Sequence, residues 1–168
     1  MSLVNVSDFI GRYTIAQTEQ PNVAAVVQQY IDRYETEYLK KVLGVTMYIN
    51  YKAGITASNP IYTALRDGDN YTDYYGETMF YEGLKQPILN YIYFHYLRDN
   101  VTFTTGSGEK EIQKGHAVSS IEKQVRAWNE MVAVNKKLRW YLYSKAVTFG
   151  NIIWYYNEMF HPINTLGL

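Results

Sequence analysis

The three histidines, His95, His116 and His161, are the side chains best suited to bind a metal ion or to move a proton near neutral pH. They lie in three separate parts of the chain, and no His-Glu-x-x-His pair or carboxylate at ligand spacing accompanies them. The chain has no cysteine, which excludes disulfides, thiolate metal sites and a cysteine nucleophile. The sequence therefore predicts no metal and no cofactor. We expect His95, on an aromatic helix face, to be a hydrogen-bonded core or interface residue.

The remaining candidates for catalysis are a pair of carboxylates, a glycine-rich segment and the serines. Glu35 and Glu37 are two residues apart in a predicted helix, so they point to different faces and cannot serve one substrate as acid and base. The segment GSGEK at 106–110 matches neither of the glycine-rich phosphate-binding patterns, G-x-x-x-x-G-K-[ST] and G-x-G-x-x-G. No serine lies in a nucleophile-elbow motif. These patterns predict a protein that is not an enzyme.

The composition favours a folded protein that contacts other proteins. The 168 residues include 16 basic and 16 acidic side chains, so no net field attracts nucleic acid or an anionic membrane. No apolar run approaches the roughly 20 residues that span a bilayer, and the N-terminus lacks a signal-peptide pattern, so we expect a soluble intracellular protein. There are 18 tyrosines, a residue type suited to surfaces that are buried in one state and hydrated in another. We expect most to fill the core and a minority to lie at subunit contacts.

Apolar side chains at spacings of three and four predict a mainly α-helical fold. The clearest helix follows a cap at Asn22, ends near Leu43 before Gly44, and carries Val27, Ile31 and Tyr34 on one face. The other predicted helices are a short one after Ser7 to about Ile15, one over 45–51 closed by Gly54, a turn or two after Asn59-Pro60, one beginning between Phe80 and Pro87 and ending at Asp99, and a long one capped by Ser120.

The segments between these helices lack a helical period. Residues 69–77 read as a loop, and 101–119 as an extended central loop that begins with strand-like VTFTT. A bend near 145–150, an aromatic helix over 152–160 and an irregular tail over 161–168 complete the chain. We therefore predict a small helical bundle in one domain over 1–145, with the long loop, and a C-terminal helix and arm over 146–168.

Charge is segregated along the chain. The middle is acidic, and the long helix after Ser120 is basic. Either each patch is a solvated face, or the two meet across a head-to-tail contact between copies. The candidate patch residues are Asp67, Asp69, Asp73, Glu77, Lys136, Lys137 and Arg139.

The order of these segments resembles the head–tail connector (adaptor) proteins of tailed phages. The likeness lies in the opening VNVSDFIGRYTIA, a capped helix ending YETEYLKKVLG, a second helix GLKQPILNYIYFHYLRDN, a long loop and a helix bearing RAWNEMV. It is greatest to the longer type found in phages and prophages of Bacteroidetes-type bacteria, which end in a tail similar to PINTLGL. The likeness covers most of the chain, roughly residues 3–140.

The resemblance implies a structural protein of the virion, made in the bacterial cytoplasm and placed at the head–tail junction. Copies would form a ring, typically a dodecamer, that docks beneath the portal protein, extends the DNA channel and offers a platform to the next tail-completion protein. In related connectors the central loop and the C-terminal segment make the contacts. The corresponding candidates here are Phe103, Lys110, Lys114, His116, Phe160, His161, Pro162 and Leu166. Lys110 and Lys114 would face a neighbour or touch channel DNA weakly and without sequence preference.

Three alternatives remain open at this stage. One is another phage head-closure or tail-completion protein, which would be rich in β-strand. Another is a non-catalytic helical interaction module of a bacterial host. The third is an enzyme that stacks a sugar on Tyr74, Tyr75 and Tyr81, although no convincing pair of carboxylates accompanies these rings.

Overall fold

The computed structural model describes residues 2–100, 102–105, 108–111, 120–149 and 157–164. Helices dominate this part of the chain, which confirms the predicted mainly α-helical bundle. The helices are α1 (Pro21–Leu43), α2 (Val45–Thr56), α3 (Pro60–Asp67), α4 (Lys85–Asp99), α5 (Ser120–Ser144) and α6 (Ala146–Phe149). The strands are β1 (Asp69–Thr72), β2 (Thr78–Tyr81), β3 (Thr102–Thr105) and β4 (Gly108–Glu111), and single 3₁₀ turns span Val6–Asp8, Gly11–Tyr13 and Asn157–Phe160.

Helix α4 is the centre of the bundle and packs between α1 and α5. Every residue from Pro87 to His95 is buried, so this helix is enclosed on all sides instead of showing one apolar face. Helix α1 contributes the face that its sequence predicts, with Val27, Ile31 and Tyr34 buried. The core of the molecule therefore lies along α4.

The ends of the first helices follow local chemistry, with three corrections to the predicted boundaries. Asn22 does not cap α1, because the helix begins at Pro21 and its N-cap residue is Gln20. Asn59 caps α3, and its side chain accepts a hydrogen bond from the Ile61 amide at 3.1 Å, as predicted. Gly54 does not close α2, which continues to Thr56; a Cβ there would lie 2.0 Å from Cδ2 of Tyr62, so the glycine permits close packing. The predicted helix after Ser7 is two separate 3₁₀ turns, because Gly11, the first residue of the second turn, has a positive φ of 61° that an α-helix does not allow.

Residues 69–81 form an antiparallel β-hairpin, so the prediction of a loop over 69–77 was wrong. Strands β1 and β2 pair with Asp69 opposite Tyr81 and Tyr71 opposite Met79. Tyr71 and Tyr81 are buried against Tyr141 of α5, with ring centroids 6.1 Å and 4.9 Å from that of Tyr141. These inward tyrosines give two short strands the support that an isolated hairpin lacks.

Two glycines form the base of this hairpin, where its strands join the helical body. Gly68 and Gly83 adopt φ values of 106° and 89°. A Cβ on Gly68 would lie 2.6 Å from the Tyr81 carbonyl oxygen, and one on Gly83 would lie 2.5 Å from that of Arg66. The two backbones therefore touch directly, and the Leu84 amide donates to the Arg66 carbonyl at 2.9 Å.

The C-terminal segment as far as Asn164 lies against α5. Met159 is buried, and its carbonyl accepts a hydrogen bond from the Asn135 side chain at 2.8 Å. The Asn129 amide group both donates to the Ile163 carbonyl and accepts from the Ile163 amide, at 2.9 and 2.8 Å. Most of the predicted aromatic helix over 152–160 lies outside the described residues, and its last four form a 3₁₀ turn.

Candidate interaction surface

The central loop contains a second antiparallel hairpin, β3–β4, in agreement with the strand-like composition of VTFTT. Phe103 and Lys110, both predicted contact residues, are directly opposite each other across the two strands. Three further candidates, Lys114, His116 and Leu166, lie outside the described residues. The hairpin thus brings together two predicted contact positions that are seven residues apart in sequence.

The C-terminal candidates divide between core and surface. Phe160 is 5% exposed and lies in the core of its own chain, with the guanidinium of Arg139 5.7 Å from its ring centroid, and not on the surface as predicted. His161 and Pro162 are exposed. The His161 carbonyl accepts a hydrogen bond from the indole nitrogen of Trp128 at 2.9 Å. Of these three, only His161 and Pro162 have exposed side chains.

The acidic and basic patches meet within one chain. Lys137 of α5 pairs with Glu82 just after β2, and the Lys145 Nζ lies 3.6 Å from Asp69 Oδ2 in β1. Asp67 pairs with its neighbour Arg66, whose hydrogen bonds lower the pKa of the Asp67 carboxyl. Because these contacts tie the β1–β2 hairpin to α5, the segregation of charge is in part internal and does not by itself indicate a second copy. Lys136, in contrast, is exposed.

Two other patch residues, Asp73 and Glu77, lie in the turn of the β1–β2 hairpin. Asp73 Oδ1 accepts hydrogen bonds from the amides of Tyr75 and Glu77, both at 2.9 Å, and the Asp73 amide donates to the Glu77 carbonyl. Gly76 provides the positive φ that the turn needs. We call Asp73, Tyr74, Tyr75 and Glu77 the hairpin tip. It is an ordered turn held by its own hydrogen bonds.

The hairpin tip exposes two tyrosines almost completely. Tyr74 is 90% and Tyr75 is 85% exposed, and their rings contact each other edge to face at 5.5 Å. Tyr81, which the sugar-binding alternative grouped with them, is buried on the inner side of the hairpin. The sequence brings the three rings to attention but does not indicate that two are exposed and one is buried. Tyr74 and Tyr75 lie in the turn, whereas Tyr81 is the last residue of β2 and packs against Tyr141.

A second exposed apolar surface lies on α2. Val45 and Ile49 are 60% and 59% exposed. Beside them Tyr48 lies between two ammonium groups, those of Lys40 and Lys52, which are 5.6 and 5.9 Å from its ring centroid. We call these five residues the α2 face. Sequence analysis missed it, although the i, i+4 spacing of Val45 and Ile49 beside polar Thr46 and Asn50 was a usable signal.

A third apolar stripe runs along the end of α5 and α6. Trp140, Tyr143 and Val147 are all exposed and follow the helical spacing, and the first two rings lie 6.1 Å apart. These exposed aromatic and aliphatic side chains add to those of the hairpin and α2. Monomeric proteins seldom expose large contiguous apolar patches, so we treat these three surfaces as candidate contact sites.

A large cleft, of about 910 Å³, lies between the N-terminal segment, α1, α2 and α3. Its carboxylates already have partners in the chain: Glu35 accepts from the Ser2 hydroxyl at 2.5 Å and from the Leu3 amide, and Asp67 pairs with Arg66. The Ser2 hydroxyl and the Glu35 carboxylate form a hydroxyl–carboxylate pair, but no histidine is found among the described residues that line the cleft. The cleft has no arrangement of groups that indicates a reaction.

His95 lies in an aromatic cage instead of a hydrogen-bonded site. Its ring stacks on Tyr34 at a centroid distance of 4.1 Å and contacts Tyr91 edge-on. Within the described residues neither ring nitrogen has a hydrogen-bond partner, which corrects that part of the sequence prediction. Burial lowers the pKa of His95 to about 4, aided by the charge of Arg98. The ring is therefore neutral at pH 7.

Two searches of the described residues gave negative results. No group of three histidine, aspartate or glutamate side chains could hold a metal ion in that part of the chain. No helix there is both long and apolar enough to cross a membrane.

Comparison with known proteins assigns no family. No protein-family model matches the chain, and no curated protein or solved structure is significantly similar to it. The function must therefore be argued from the surfaces described above.

Proposed function

We propose that this chain is a structural, non-catalytic subunit of a phage head–tail connector. Copies form a ring that docks beneath the portal protein, extends the DNA channel and presents a platform to the next tail-completion protein. The proposal joins two lines of support: the order of helices and loop that resembles connectors, and the apolar side chains exposed on ordered elements.

The observation that carries the proposal is the pair of exposed tyrosines on a fixed turn. The exposed side chains of Tyr74 and Tyr75 do not stabilise the lone chain, because they contact little besides each other. Exposed rings lower the solubility of the lone chain, and a partner that covers them removes this disadvantage. Tyrosine is enriched at protein interfaces because its ring is large and has few rotatable bonds.

The chemistry of the described residues supports a binding role more than a catalytic one. The carboxylates in the large cleft are held by the chain itself, and His95 is enclosed by aromatic rings. The mainly helical fold also disfavours the β-rich head-closure and tail-completion alternative. The host interaction module remains as the second candidate, and it differs in having no affinity for a portal.

Electron microscopy of the purified chain mixed with the portal protein of the same phage tests the proposal. We expect a ring of added density beneath the portal, absent from images of the portal alone. A chain that leaves the portal unchanged, and that stays monomeric when concentrated, would favour the host module. Turnover of a small molecule by the isolated chain would contradict the non-catalytic role.

A contact of Lys110 and Lys114 with channel DNA is part of this proposal. Reversing both charges to glutamate should reduce DNA retention in assembled particles, since each lost phosphate contact weakens non-specific binding. Particles that keep their DNA equally well would restrict these lysines to contacts with protein.

A further inference from the structure

The β1–β2 hairpin and helix α2 carry opposite charges. The hairpin, Asp69–Tyr81, contains Asp69, Asp73 and Glu77 and no basic residue. Helix α2 contains Lys52 and no acidic residue, and Lys40 of α1 lies beside it. Among the residues that the structure describes, Glu77, Lys40 and Lys52 form no ion pair, so their charges remain available to a partner.

The two surfaces also complement each other in the types of side chain that they expose. The hairpin tip presents two aromatic rings edge to face on a turn fixed by Asp73. The α2 face presents two aliphatic side chains with an aromatic ring between two ammonium groups. Aromatic and aliphatic side chains form the buried centre of protein contacts, and charged residues form the rim.

Neither surface covers the other within one chain. Tyr74 and Tyr75 are at least 85% exposed, while Val45 and Ile49 are about 60% exposed. Within the part of the chain that the structure describes, both surfaces are therefore open to an occupant. A second copy is the partner with the required chemistry, because each copy carries both an acidic aromatic tip and a basic apolar face.

We infer that the hairpin tip of one copy docks on the α2 face of the next copy. Tyr74 and Tyr75 cover Val45 and Ile49, and Glu77 lies within reach of Lys40 or Lys52. Because the two surfaces differ, the contact is head to tail, and each pair of copies keeps one free tip and one free α2 face, which permits a ring. The inference rests on the proposed function, of which it specifies the contact between subunits.

Disulfide trapping tests this contact directly, because the chain has no cysteine of its own. Tyr75→Cys and Ile49→Cys each place one thiol on an exposed position that does not support the fold. Equal amounts of the two variants are mixed in a glutathione redox buffer, and the three possible dimers are quantified by mass spectrometry. We expect the 75–49 dimer in several-fold excess over random pairing. Ala133→Cys, at an exposed position on α5, replaces Ile49→Cys in the control and should pair at random.

Charge reversal identifies the orientation of the contact. Adding Glu77→Lys to the Tyr75→Cys copy should lower the yield of the 75–49 dimer roughly threefold, as expected for a rim ion pair. Adding Lys52→Glu to the Ile49→Cys copy should then restore the yield. If Lys52→Glu does not restore the dimer, the partner of Glu77 is expected to be Lys40. In that case, Lys40→Glu in the Ile49→Cys copy should restore the yield. If neither reversal restores the yield, the charge match is refuted.

The outcomes separate this inference from the proposed function. Random pairing between the Tyr75→Cys and Ile49→Cys copies overturns the inference in every case. If rings still form beneath the portal, the connector function stands and its subunit contact lies elsewhere. Enriched 75–49 pairing without any binding to the portal would retain the contact between copies and reject the connector.

Discussion

The bundle interior and the tip of the β1–β2 hairpin use the same residue type in opposite ways. In the interior, Tyr38 and Tyr91 are buried, and their hydroxyls donate to Asn135 and Glu37. At the hairpin tip, Tyr74 and Tyr75 are exposed and contact each other edge to face. The high tyrosine content of this chain therefore has two sources, one that stabilises the fold and one that is available to a partner.

The interior tyrosines form a connected aromatic group. The Tyr91 ring contacts Tyr34, Tyr38, His95 and Trp128, with centroids 4.5 to 6.3 Å away. Its hydroxyl donates to Glu37 at 2.8 Å and accepts from Lys41 at 3.2 Å. Burial, together with the bond to Glu37 and its negative charge, raises the pKa of Tyr91. Loss of this ring should disturb both packing and charge.

The largest expected effect is on the stability of a chain with Tyr91→Ala. Removing a buried aromatic ring should lower the free energy of unfolding by about 3–5 kcal/mol. The matched change Tyr74→Ala should alter it by less than about 0.5 kcal/mol, because the side chain is exposed. Urea unfolding followed by circular dichroism measures both. Comparable losses for the two variants would remove the distinction between interior and tip.

The next largest effect is the pH dependence of stability that arises from His95 in its aromatic cage. The folded-state pKa of about 4 lies below the ordinary value of 6.5, so the unfolded chain binds a proton first as the pH falls. The contribution of the neutral His95 ring to the free energy of unfolding is therefore complete above pH 6.5 and is lost between pH 6.5 and pH 4. A difference of this size corresponds to about 3 kcal/mol of unfolding free energy.

The variant His95→Phe provides the control for this pH effect. Its free energy of unfolding should change much less over the same range, whatever its absolute stability. The carboxyls of Asp8, Glu37 and Asp67 have pKa values lowered from 3.8 or 4.5, so their contributions are lost only at lower pH. A wild-type chain equally stable at about pH 6.5 and about pH 4.5 would show that the cage is open to water.

The smallest effect distinguishes interior tyrosines from one another. Tyr38→Phe should cost about 1–2 kcal/mol, because it leaves the buried Asn135 carbonyl oxygen without the Tyr38 hydroxyl. Tyr81→Phe should be neutral or slightly stabilising, since the buried Tyr81 hydroxyl has no hydrogen-bond partner in the described chain. Thermal unfolding of the two variants side by side tests the difference. A larger loss for Tyr81→Phe would indicate an ordered water on its hydroxyl.

The helices were predictable because their signals are local. Val27, Ile31 and Tyr34 repeat at helical spacing in α1, and Asn59-Pro60 supplies both the cap and the first residue of α3. Helix type and approximate boundaries follow from such patterns within a single turn or two.

The β1–β2 hairpin and the docked C-terminal segment were not predictable from local sequence. The hairpin depends on Tyr141, a residue of α5 far along the chain, to cover Tyr71 and Tyr81. The C-terminal segment is held by the side chains of Asn129 and Asn135, which a helical pattern reads as polar surface positions. Contacts between distant segments decide both features, and one sequence does not reveal them.

The same limit applies to the candidate surfaces. The segregation of charge was recognised, but the ion pairs of Lys137 and Lys145 with the hairpin and the residue after it show that much of it is internal. Tyr74 and Tyr75 are exposed because they lie in the turn, and Tyr81 is buried because it packs on Tyr141 of α5, a contact that local sequence does not reveal. The high number of tyrosines indicated that some lie at protein contacts, and only the fold showed which of them are exposed.

The glycine pair at the base of the β1–β2 hairpin makes its outer half an exchangeable unit. Gly68 and Gly83 fix the angle at which the strands leave the body, and neither tolerates a Cβ without displacing a backbone carbonyl. The turn beyond them is held by hydrogen bonds of its own. Residues 73–77 can thus be lengthened, shortened or rewritten while the bundle keeps its shape, so a change of binding partner requires new sequence only at the turn.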